Sequence, residues 1–205
     1  MALKIVMFSD YICAFCYVGF ETIRRLKPEF DFQLEWRGFQ IHPDWPAAGI
    51  PADNARDTGD GASRVALWKR LSAMADAVGF SMRPPAMLTN SRAALAATEF
   101  ARESGRDEAL EERIYRAYFN DGANIGDAAV VARLAVDAGL DPGAVADAIK
   151  SPKYEMRLKN NSLAAHQRGV SGVPTLFIGE YPLVGAQSLE AMRAILKRAT
   201  ERFAT

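Results

Sequence analysis

The sequence is poor in the residues that build disulfide frameworks and metal centres. Its 205 residues include two cysteines and two histidines, and 25 lysines and arginines balance 25 aspartates and glutamates. A net charge of zero argues against a nucleic-acid partner or a membrane surface held by bulk electrostatics. Two thiols are too few for a disulfide framework, and they supply half of the ligands that a structural zinc site needs. We therefore expect no nucleic-acid partner and no metal.

Long apolar segments are missing as well. No stretch approaches the roughly 18 apolar residues of a transmembrane helix. The first ten residues, MALKIVMFSD, reach an acid at Asp10 without the pattern of a signal peptide. We find no internal repeat and no low-complexity segment, while the 49% hydrophobic content is enough to bury a sizeable core. The sequence thus predicts a cytoplasmic protein without a membrane partner.

Both cysteines lie in one short stretch, DYICAFCYVG, as Cys13 and Cys16. The apolar run Leu3–Ser9 before them is typical of a buried strand, and Cys16 and Phe20 begin a helical spacing of apolar residues. Cys13 is therefore expected at the N-terminus of a helix, where unpaired N–H groups and the helix dipole favour a thiolate. Cys16 lies one turn further, facing the core. The spacing predicts Cys13 as the accessible nucleophile and Cys16 as the sheltered resolving thiol.

The helix terminus limits how far the pKa of Cys13 is expected to fall. A free thiol has a pKa near ~8.5 and is about 3% thiolate at neutral pH. A helix N-terminus contributes roughly 0.3–1 kcal/mol, and about 2 kcal/mol in favourable cases. That contribution lowers the pKa by at most ~1.5 units, to about 7. We predict a moderately acidic Cys13.

The remaining sequence predicts a sheet that is divided along the chain by helices. Phe30–Phe39 alternates apolar and polar residues like a strand, which completes a βαβ unit. Ile41–Ser63 is rich in proline, glycine and aspartate and predicts a long loop. Helical periodicity dominates after this loop, and Val65 is expected on the apolar face of the helix that directly follows the loop. A hairpin within Thr175–Val184 and a final helix from Leu189 follow. We predict one discontinuous domain, 1–50 with 168–205, and a helical insertion domain at 60–167.

Three other titratable residues were weighed as functional groups. Asp10 lies three residues before Cys13 and is either a proton relay or the acid of a turn. His42 and His166 are expected at surface or capping positions, because they are far apart and form no ligand pattern with the cysteines. We predict no cofactor. The thiols themselves have two simpler interpretations, as small buried apolar residues or as metal ligands.

The stretch GVSGVPTLFIG places Pro174 directly before a predicted strand, where it has no N–H to donate to the sheet. Two interpretations stay open at this point. Pro174 is either a trans proline that starts a strand, or a cis proline that holds the backbone of Val173 open beside the thiols. Only about 5–6% of X–Pro bonds are cis, so the tripeptide alone does not decide.

Three stretches together resemble a known family: FSDYICAFCYVG, AYFNDGANIGD and GVSGVPTLFIGEYPLVGAQ. They are similar to the DsbA family of thioredoxin-fold oxidoreductases and, more narrowly, to its FrnE-like subfamily, which lacks a signal sequence. The resemblance spans nearly the whole chain and implies an α/β, thioredoxin-like fold interrupted by an all-helical insertion domain. It further implies that Cys13 and Cys16 form a redox pair and that Pro174 is cis against them. Val173 would then offer main-chain hydrogen bonds to a protein or glutathione thiol substrate.

One position departs from the family pattern and leaves the activity open. Between the cysteines the family often has proline and an aromatic residue, whereas this chain has Ala14 and Phe15. The reduction potential, and with it the choice among oxidase, reductase and isomerase, therefore does not follow from the sequence. The insert helices either cover the site or form the face of a homodimer.

Two other classes of function compete with a thiol–disulfide oxidoreductase. Kappa-class glutathione transferases and 2-hydroxychromene-2-carboxylate isomerases share the implied fold, but they typically carry serine in place of Cys13 and lack a second cysteine. A binding or chaperone-like module, with idle thiols and an insert that grips a partner, is the other alternative. The presence of both thiols favours thiol–disulfide oxidoreduction.

Overall fold

The computed structural model describes residues 3–52 and 61–203. This part of the chain contains eight α-helices, six strands and a 3₁₀ turn at Arg102–Ser104. In chain order the helices and strands are β1 (Leu3–Ser9), α1 (Ala14–Leu26), β2 (Phe32–Gly38), β3 (Ile50–Pro51), α2 (Gly61–Val78), β4 (Met87–Leu88), α3 (Arg92–Ala101), α4 (Asp107–Phe119), α5 (Ala128–Asp137), α6 (Pro142–Lys150), α7 (Pro152–Gln167), β5 (Thr175–Ile178), β6 (Tyr181–Val184) and α8 (Leu189–Phe203).

The main sheet has the strand order β2-β1-β5-β6, with β1 and β5 in its centre. β1 and β2 run parallel in the βαβ unit that the sequence predicts, and β5 is antiparallel to both β1 and β6. Ile5 and Met7 pack into the large core on one face of β1, while Val6 and Phe8 pack against Ala165 on the other face. Burial on both faces explains why β1 is an almost continuous apolar run.

The insert shares its core with the sheet. α3 contacts α4, α5, α6 and α7, and α1 contacts α2, so the helices of the insert adjoin the helix that carries the thiols. One apolar cluster includes residues of β1 and α1 together with residues of every helix from α2 to α6. We therefore propose the division into 1–50 with 168–205 and 60–167 as a division of chain topology. Within it, α7 lies against β2 of the sheet rather than among the insert helices alone.

Two sequence expectations differ from the structure in the segment after β2. The predicted loop Ile41–Ser63 contains β3, which pairs antiparallel with β4 through Ile50–Leu88 and Pro51–Met87. Its residues 53–60 lie outside the described part, and α2 already begins at Gly61. Val65, expected on the buried face of α2, is 69% exposed, because the N-terminal turns of α2 extend past the core that covers Leu71.

Polar side chains cap several helices of the insert. Asp127 and Asp141 cap α5 and α6 by accepting hydrogen bonds from the N–H groups of Ala129 and Ala144. Before α3, Ser91 occupies the cap position, while the Asn90 side chain accepts the Arg92 N–H at 2.8 Å. Across residues 3–52 and 61–203, no helix combines the length and apolarity needed to cross a membrane.

Candidate active site

Cys13 occupies the N-cap position of α1, with an extended backbone and a half-buried side chain. A tight turn after β1 holds it there: its N–H donates to the Asp10 carbonyl at 3.2 Å, and its own carbonyl accepts from Cys16 and Tyr17 at 3.0 and 3.2 Å. Its Sγ faces the Val173 carbonyl oxygen at 3.6 Å. The Cys13 thiol thus lies at the N-terminal end of α1 and faces the segment before β5.

The two thiols have opposite acidities. A hydrogen bond from the Cys16 thiol and the backbone N–H groups of Cys16 and Phe15 lower the pKa of Cys13, against burial and the nearby Asp10 carboxylate. Burial raises the pKa of Cys16 well above its usual value, and the charge of Cys13 raises it further. Cys16 is fully buried. Of the two thiols, Cys13 is therefore the one that loses its proton more readily, which is the direction that the spacing predicts.

Val173 and Pro174 lie beside the thiols, and the peptide bond between them is cis. This outcome decides between the two interpretations that the sequence left open. Pro174 is buried, its carbonyl accepts the Gly185 N–H at 2.8 Å, and its ring approaches α1 at Gly19, where a Cβ would stand 3.5 Å from Pro174 Cγ. None of the residues in the described part accepts a hydrogen bond from the Val173 N–H. Among the described residues the Val173 N–H therefore has no partner, while its carbonyl faces Cys13 Sγ.

Asp10 lies directly beneath this site and acts as the acid of a turn. Its carboxylate is fully buried and accepts the N–H groups of Ile41 at 2.8 Å and Ile12 at 3.4 Å. It thereby fixes the segment after β2 to the loop that carries Cys13. Burial raises the pKa of Asp10 to about 6, with the Ile41 hydrogen bond opposing the rise. A relay role for Asp10 stays a prediction.

Sequence reasoning missed the polar and aromatic groups behind the thiols. Ser9 Oγ lies 2.7 Å from the hydroxyl of Tyr115, which belongs to α4 of the insert. The Tyr115 ring stacks on Tyr17 with centroids 5.0 Å apart and meets the edge of Tyr11 at 4.8 Å. The only signal in the sequence was the aromatic-rich segment IYRAYF in the predicted fourth helix, which is equally typical of ordinary core.

The structure also contains a groove beside Cys13 that the sequence did not predict. Its volume is about 480 Å³, and Ile12 and Ala14 on either side of Cys13 form part of its wall. The remaining lining is mostly apolar and comes from the insert and its connections: Ala52, Arg64, Val65, Trp68, Pro84, Pro85, Leu88 and Phe119. The exposed Val65 thus lies at the groove rather than in the core.

Each of the two histidines has a contact of its own with a residue other than the cysteines. His42 stacks on Trp45 with ring centroids 3.9 Å apart, and His166 Nδ1 lies 2.6 Å from the Ser162 carbonyl. In the two described stretches, no group of three or more histidine, cysteine, aspartate or glutamate side chains has the arrangement to hold a metal ion.

The geometry of two thiols on a helix end facing a cis proline can now be compared with known proteins. The sequence matches the DSBA-like thioredoxin domain over residues 4–197. The chain belongs to the DSBA-like thioredoxin domain family. Membership confirms the predicted resemblance and the predicted α/β fold with a helical insertion, and it makes the chain a redox or isomerase enzyme of the DsbA type. The FrnE-like subfamily stays a prediction.

Two relatives and one structural neighbour show what the chain is similar to. A probable DsbA oxidoreductase from Streptomyces coelicolor has 27% sequence identity and a TM-score of 0.86, with 96% of this chain and 89% of that chain covered. The 2-hydroxychromene-2-carboxylate isomerase of Sphingobium xenophagum is 25% identical over 96% of this chain and 99% of its own. The cytosolic disulfide reductase DsbM from Pseudomonas aeruginosa, in a structure with GSH, has 16% identity and a TM-score of 0.70, over 97% and 100% of the two chains.

Proposed function

We propose that the protein is a thiol–disulfide oxidoreductase in which Cys13 is the nucleophile and Cys16 the resolving thiol. The observation that carries this proposal is the opposite acidity of the two thiols at a helix end that faces Val173 and the cis Pro174. A lowered pKa increases the thiolate fraction of Cys13, and the thiolate is the species that attacks a disulfide. The buried Cys16 is protected from reagents that reach Cys13, yet it lies close enough to attack the same sulfur.

Both directions of the reaction use the same two steps. In the reduced enzyme the Cys13 thiolate attacks a substrate disulfide, forms a mixed disulfide and releases one substrate thiolate. Cys16 then loses its proton and attacks the Cys13 sulfur, which forms the Cys13–Cys16 disulfide and releases the second substrate thiol. Two electrons pass from the enzyme to the substrate. Run in reverse, the oxidised pair takes two electrons from a dithiol.

We propose that Val173 and Pro174 bind the substrate through the main chain. The Val173 carbonyl lies 3.6 Å from Cys13 Sγ, so an extended substrate whose sulfur reaches Cys13 passes along this segment. Its free N–H would add a further hydrogen bond, which suits either a protein cysteine or glutathione. The likeness to DsbM, a cytosolic reductase whose structure contains GSH, supports this ligand class and a cytosolic setting. Sedimentation velocity tests whether the insert helices form the face of a homodimer, which is one of the two roles that the sequence leaves open for them.

A glutathione-dependent isomerase or transferase is the second candidate. It is favoured by the 25% identity to 2-hydroxychromene-2-carboxylate isomerase over nearly the full length of both chains. In such an enzyme the groove of about 480 Å³ beside Cys13 would hold the apolar part of the substrate. Cys16 would have no chemical task, and its removal would leave the activity intact.

Trapping separates the candidates. With Cys16→Ser, an oxidoreductase accumulates a mixed disulfide on Cys13 when it is given oxidised glutathione or a disulfide-bonded protein, because the resolving thiol is gone. Cys13→Ser is the matched control and forms none. Mass spectrometry of the intact protein without reductant measures both. If Cys16→Ser instead turns over a glutathione-dependent isomerisation at the wild-type rate, the proposal is wrong. The proposal is also wrong if the protein only binds a partner, and binds it equally well with either thiol removed.

A further inference from the structure

The first helix of the insert, α2, packs against the helix that carries the thiols. Trp68 of α2 lies in the groove whose wall includes Ile12 and Ala14. Two residues further along α2, the guanidinium carbon of Arg70 lies over the ring of Phe15, 5.7 Å from the ring centroid. Phe15 stands between the two cysteines, in the first turn of α1. A cation of the insert therefore lies next to the segment that carries both thiols.

The charge of Arg70 is available to a ligand. The residue is exposed, and no carboxylate within residues 3–52 and 61–203 pairs with it. A guanidinium has five N–H donors in a planar fork, and a contact with the face of a ring leaves those donors available. Four of the other arginines that lie over aromatic rings also pair with a glutamate: Arg24, Arg37, Arg157 and Arg168. Arg70 can receive a carboxylate from outside the chain instead.

We propose that Arg70 is a specificity-determining residue, which binds a carboxylate of the disulfide that Cys13 attacks, and that this disulfide is a small anionic one such as oxidised glutathione. The inference rests on the proposed function and deepens it, because it chooses between the two ligand classes that the Val173 main chain suits. Phe15 is the positioning residue, since its ring holds the guanidinium beside the thiols.

The chemistry of the attack explains what a cation contributes here. Cys13 reacts as a thiolate: its sulfur forms a bond with one substrate sulfur, the substrate disulfide breaks, and the second sulfur leaves with the electron pair as a thiolate. Oxidised glutathione is doubly negative, so the thiolate and this substrate repel each other as they approach. The Arg70 guanidinium offsets the repulsion for an anionic disulfide, whereas a neutral disulfide gains nothing from it.

Glutathione carries its carboxylates close to its sulfur. Its cysteine is flanked by a γ-linked glutamate and a C-terminal glycine, so each carboxylate lies within one residue of the reacting atom. A cysteine inside a protein chain is flanked by neutral peptide groups instead. The main chain of Val173 would bind the peptide groups that both ligand classes share, and Arg70 would add the preference for the anionic one.

The test measures the second-order rate constant of Cys13 attack in the Cys16→Ser background, where the mixed disulfide accumulates and mass spectrometry of the intact protein follows it. Four disulfides form a charge series: oxidised glutathione and 3,3′-dithiodipropionate are doubly negative, 2-hydroxyethyl disulfide is neutral, and cystamine is doubly positive. For each disulfide, the rate constant with Arg70→Gln is divided by the rate constant with Arg70 present. This ratio cancels the intrinsic reactivity of the disulfide.

Arg70→Gln is expected to slow attack on the two anionic disulfides about three- to fivefold at low salt, as the loss of an exposed ion pair would. The ratio should be nearest to one for the neutral disulfide and above one for cystamine, because a repelling cation is gone. Salt at about 1 M, where the Debye length is about 3 Å, should remove most of these differences. A merely structural role of Arg70 in α2 would slow all four disulfides alike.

Lys69→Gln is the matched control. It removes one positive charge from the adjacent position of α2, which points about 100° away around the helix. Its ratio should stay near one across the series. Phe15→Leu tests the positioning role, because it removes the ring under the guanidinium. In that background Arg70→Gln should change the charge preference little.

The outcomes separate the role of Arg70 from the proposed function. If Arg70→Gln changes all four rate constants by the same factor, or if Lys69→Gln reproduces its charge dependence, the inference is overturned while the oxidoreductase stands. If Arg70→Gln keeps its full charge dependence in the Phe15→Leu background, the positioning role of Phe15 is wrong. If Cys13 reacts with none of the disulfides, the proposed function fails, and the inference fails with it.

Discussion

The acidity of Cys13 depends on its neighbour more than on the helix on which it is mounted. The hydrogen bond from the Cys16 thiol is the largest influence that lowers the pKa of Cys13, ahead of the backbone N–H groups at the start of α1. Reasoning from the helix terminus alone therefore identified the direction of the shift but not its main source. A second thiol one helical turn away is a donor as well as a resolving group.

This assignment predicts different effects for two substitutions of Cys16. Cys16→Ala removes the donor and should raise the pKa of Cys13 toward the free-thiol value of ~8.5. Cys16→Ser keeps a hydroxyl donor and should leave the pKa of Cys13 nearer to its wild-type value. Ultraviolet absorbance of the thiolate, followed against pH, measures both. Equal pKa values in the two variants would show that the helix terminus, and not the Cys16 side chain, sets the acidity.

Sequence reasoning identified the residues of the site whose chemistry is local. Cys13 and Cys16 follow from their spacing, whereas the role of Pro174 was implied only by the family resemblance. Ser9 and Tyr115 were missed because their hydrogen bond spans 106 residues and because a tyrosine in an apolar helix indicates core. Asp10 was noticed, but its partner Ile41 N–H lies 31 residues away, so its structural role needed coordinates.

At the scale of the elements, the Asn124 side chain is one of the groups that connect the loop after β2 to the insert. Asn124 Nδ2 donates to the carbonyls of Ala47 and Ala48 at 2.9 and 3.2 Å, and its Oδ1 accepts from Thr89 Oγ1 and the Gly126 N–H at 2.7 and 3.0 Å. Gly126 is required beside it, since a Cβ there would stand 2.6 Å from the Ala47 carbonyl. The motif AYFNDGANIGD thus has a structural role.

Asn124→Ala should destabilise the fold by about 2–3 kcal/mol, because the Asn124 side chain makes four hydrogen bonds that an alanine side chain cannot make. Urea unfolding measures the change in the free energy of unfolding. Asn124→Asp is the matched variant: it keeps the acceptor for Thr89 and Gly126 but loses both donated bonds, so it should fall between wild type and alanine. An alanine variant as stable as wild type would contradict the role of this side chain.

Sequence patterns predict the long elements of this fold but not the short ones. The long helices and β1 have enough periodic residues to be predicted, and the caps Asp127 and Asp141 follow from residue type. β3 and β4 have two residues each, which is too short for any alternation, and their pairing joins Ile50 to Leu88 across α2. Val65 is predicted in the core but lies at the groove, because its burial depends on where neighbouring helices end. The periodicity of the sequence contains no information about those ends.

For the molecule as a whole, a buried ionic cluster joins the sheet to the insert. Arg102 donates to the Trp36 carbonyl of β2 at 2.6 Å and pairs with Glu99 and Asp107 at 2.8 and 3.2 Å. Glu111 is buried beside it, with the nearest Arg102 nitrogen 3.9 Å away and no hydrogen bond to Oε1 from the described residues. Burial raises the pKa of Glu111 to about 8, aided by Asp107 and opposed by Arg102.

This shift predicts that stability falls as pH rises. The pKa of Glu111 is 4.5 in its unperturbed state and about 8 in the fold, so between these values the folded state holds a proton that the unfolded chain releases, and raising the pH favours unfolding. Glu111→Gln should be more stable than wild type at pH 8 by about 1–3 kcal/mol and nearly equal to it at pH 5.

Urea unfolding at the two pH values checks this expectation. Glu112→Gln, next along α4 with a side chain that is 48% exposed, is the control and should not gain stability over wild type at pH 8, because it loses an ion pair with Arg24. A Glu111→Gln variant whose stability differs from wild type by the same amount at both pH values would contradict the buried-proton account.

The order of the strands has a consequence for newly synthesised molecules. Cys13 meets Val173 across 160 residues, and β1 finds its antiparallel neighbour only when β5 exists. At roughly 5–20 residues per second, a ribosome needs about 8–30 s to make that stretch. Throughout this interval the nascent chain carries its most reactive sulfur without the segment that governs access to it. Translation itself is therefore the period in which stray oxidants and foreign thiols have the freest access to this protein.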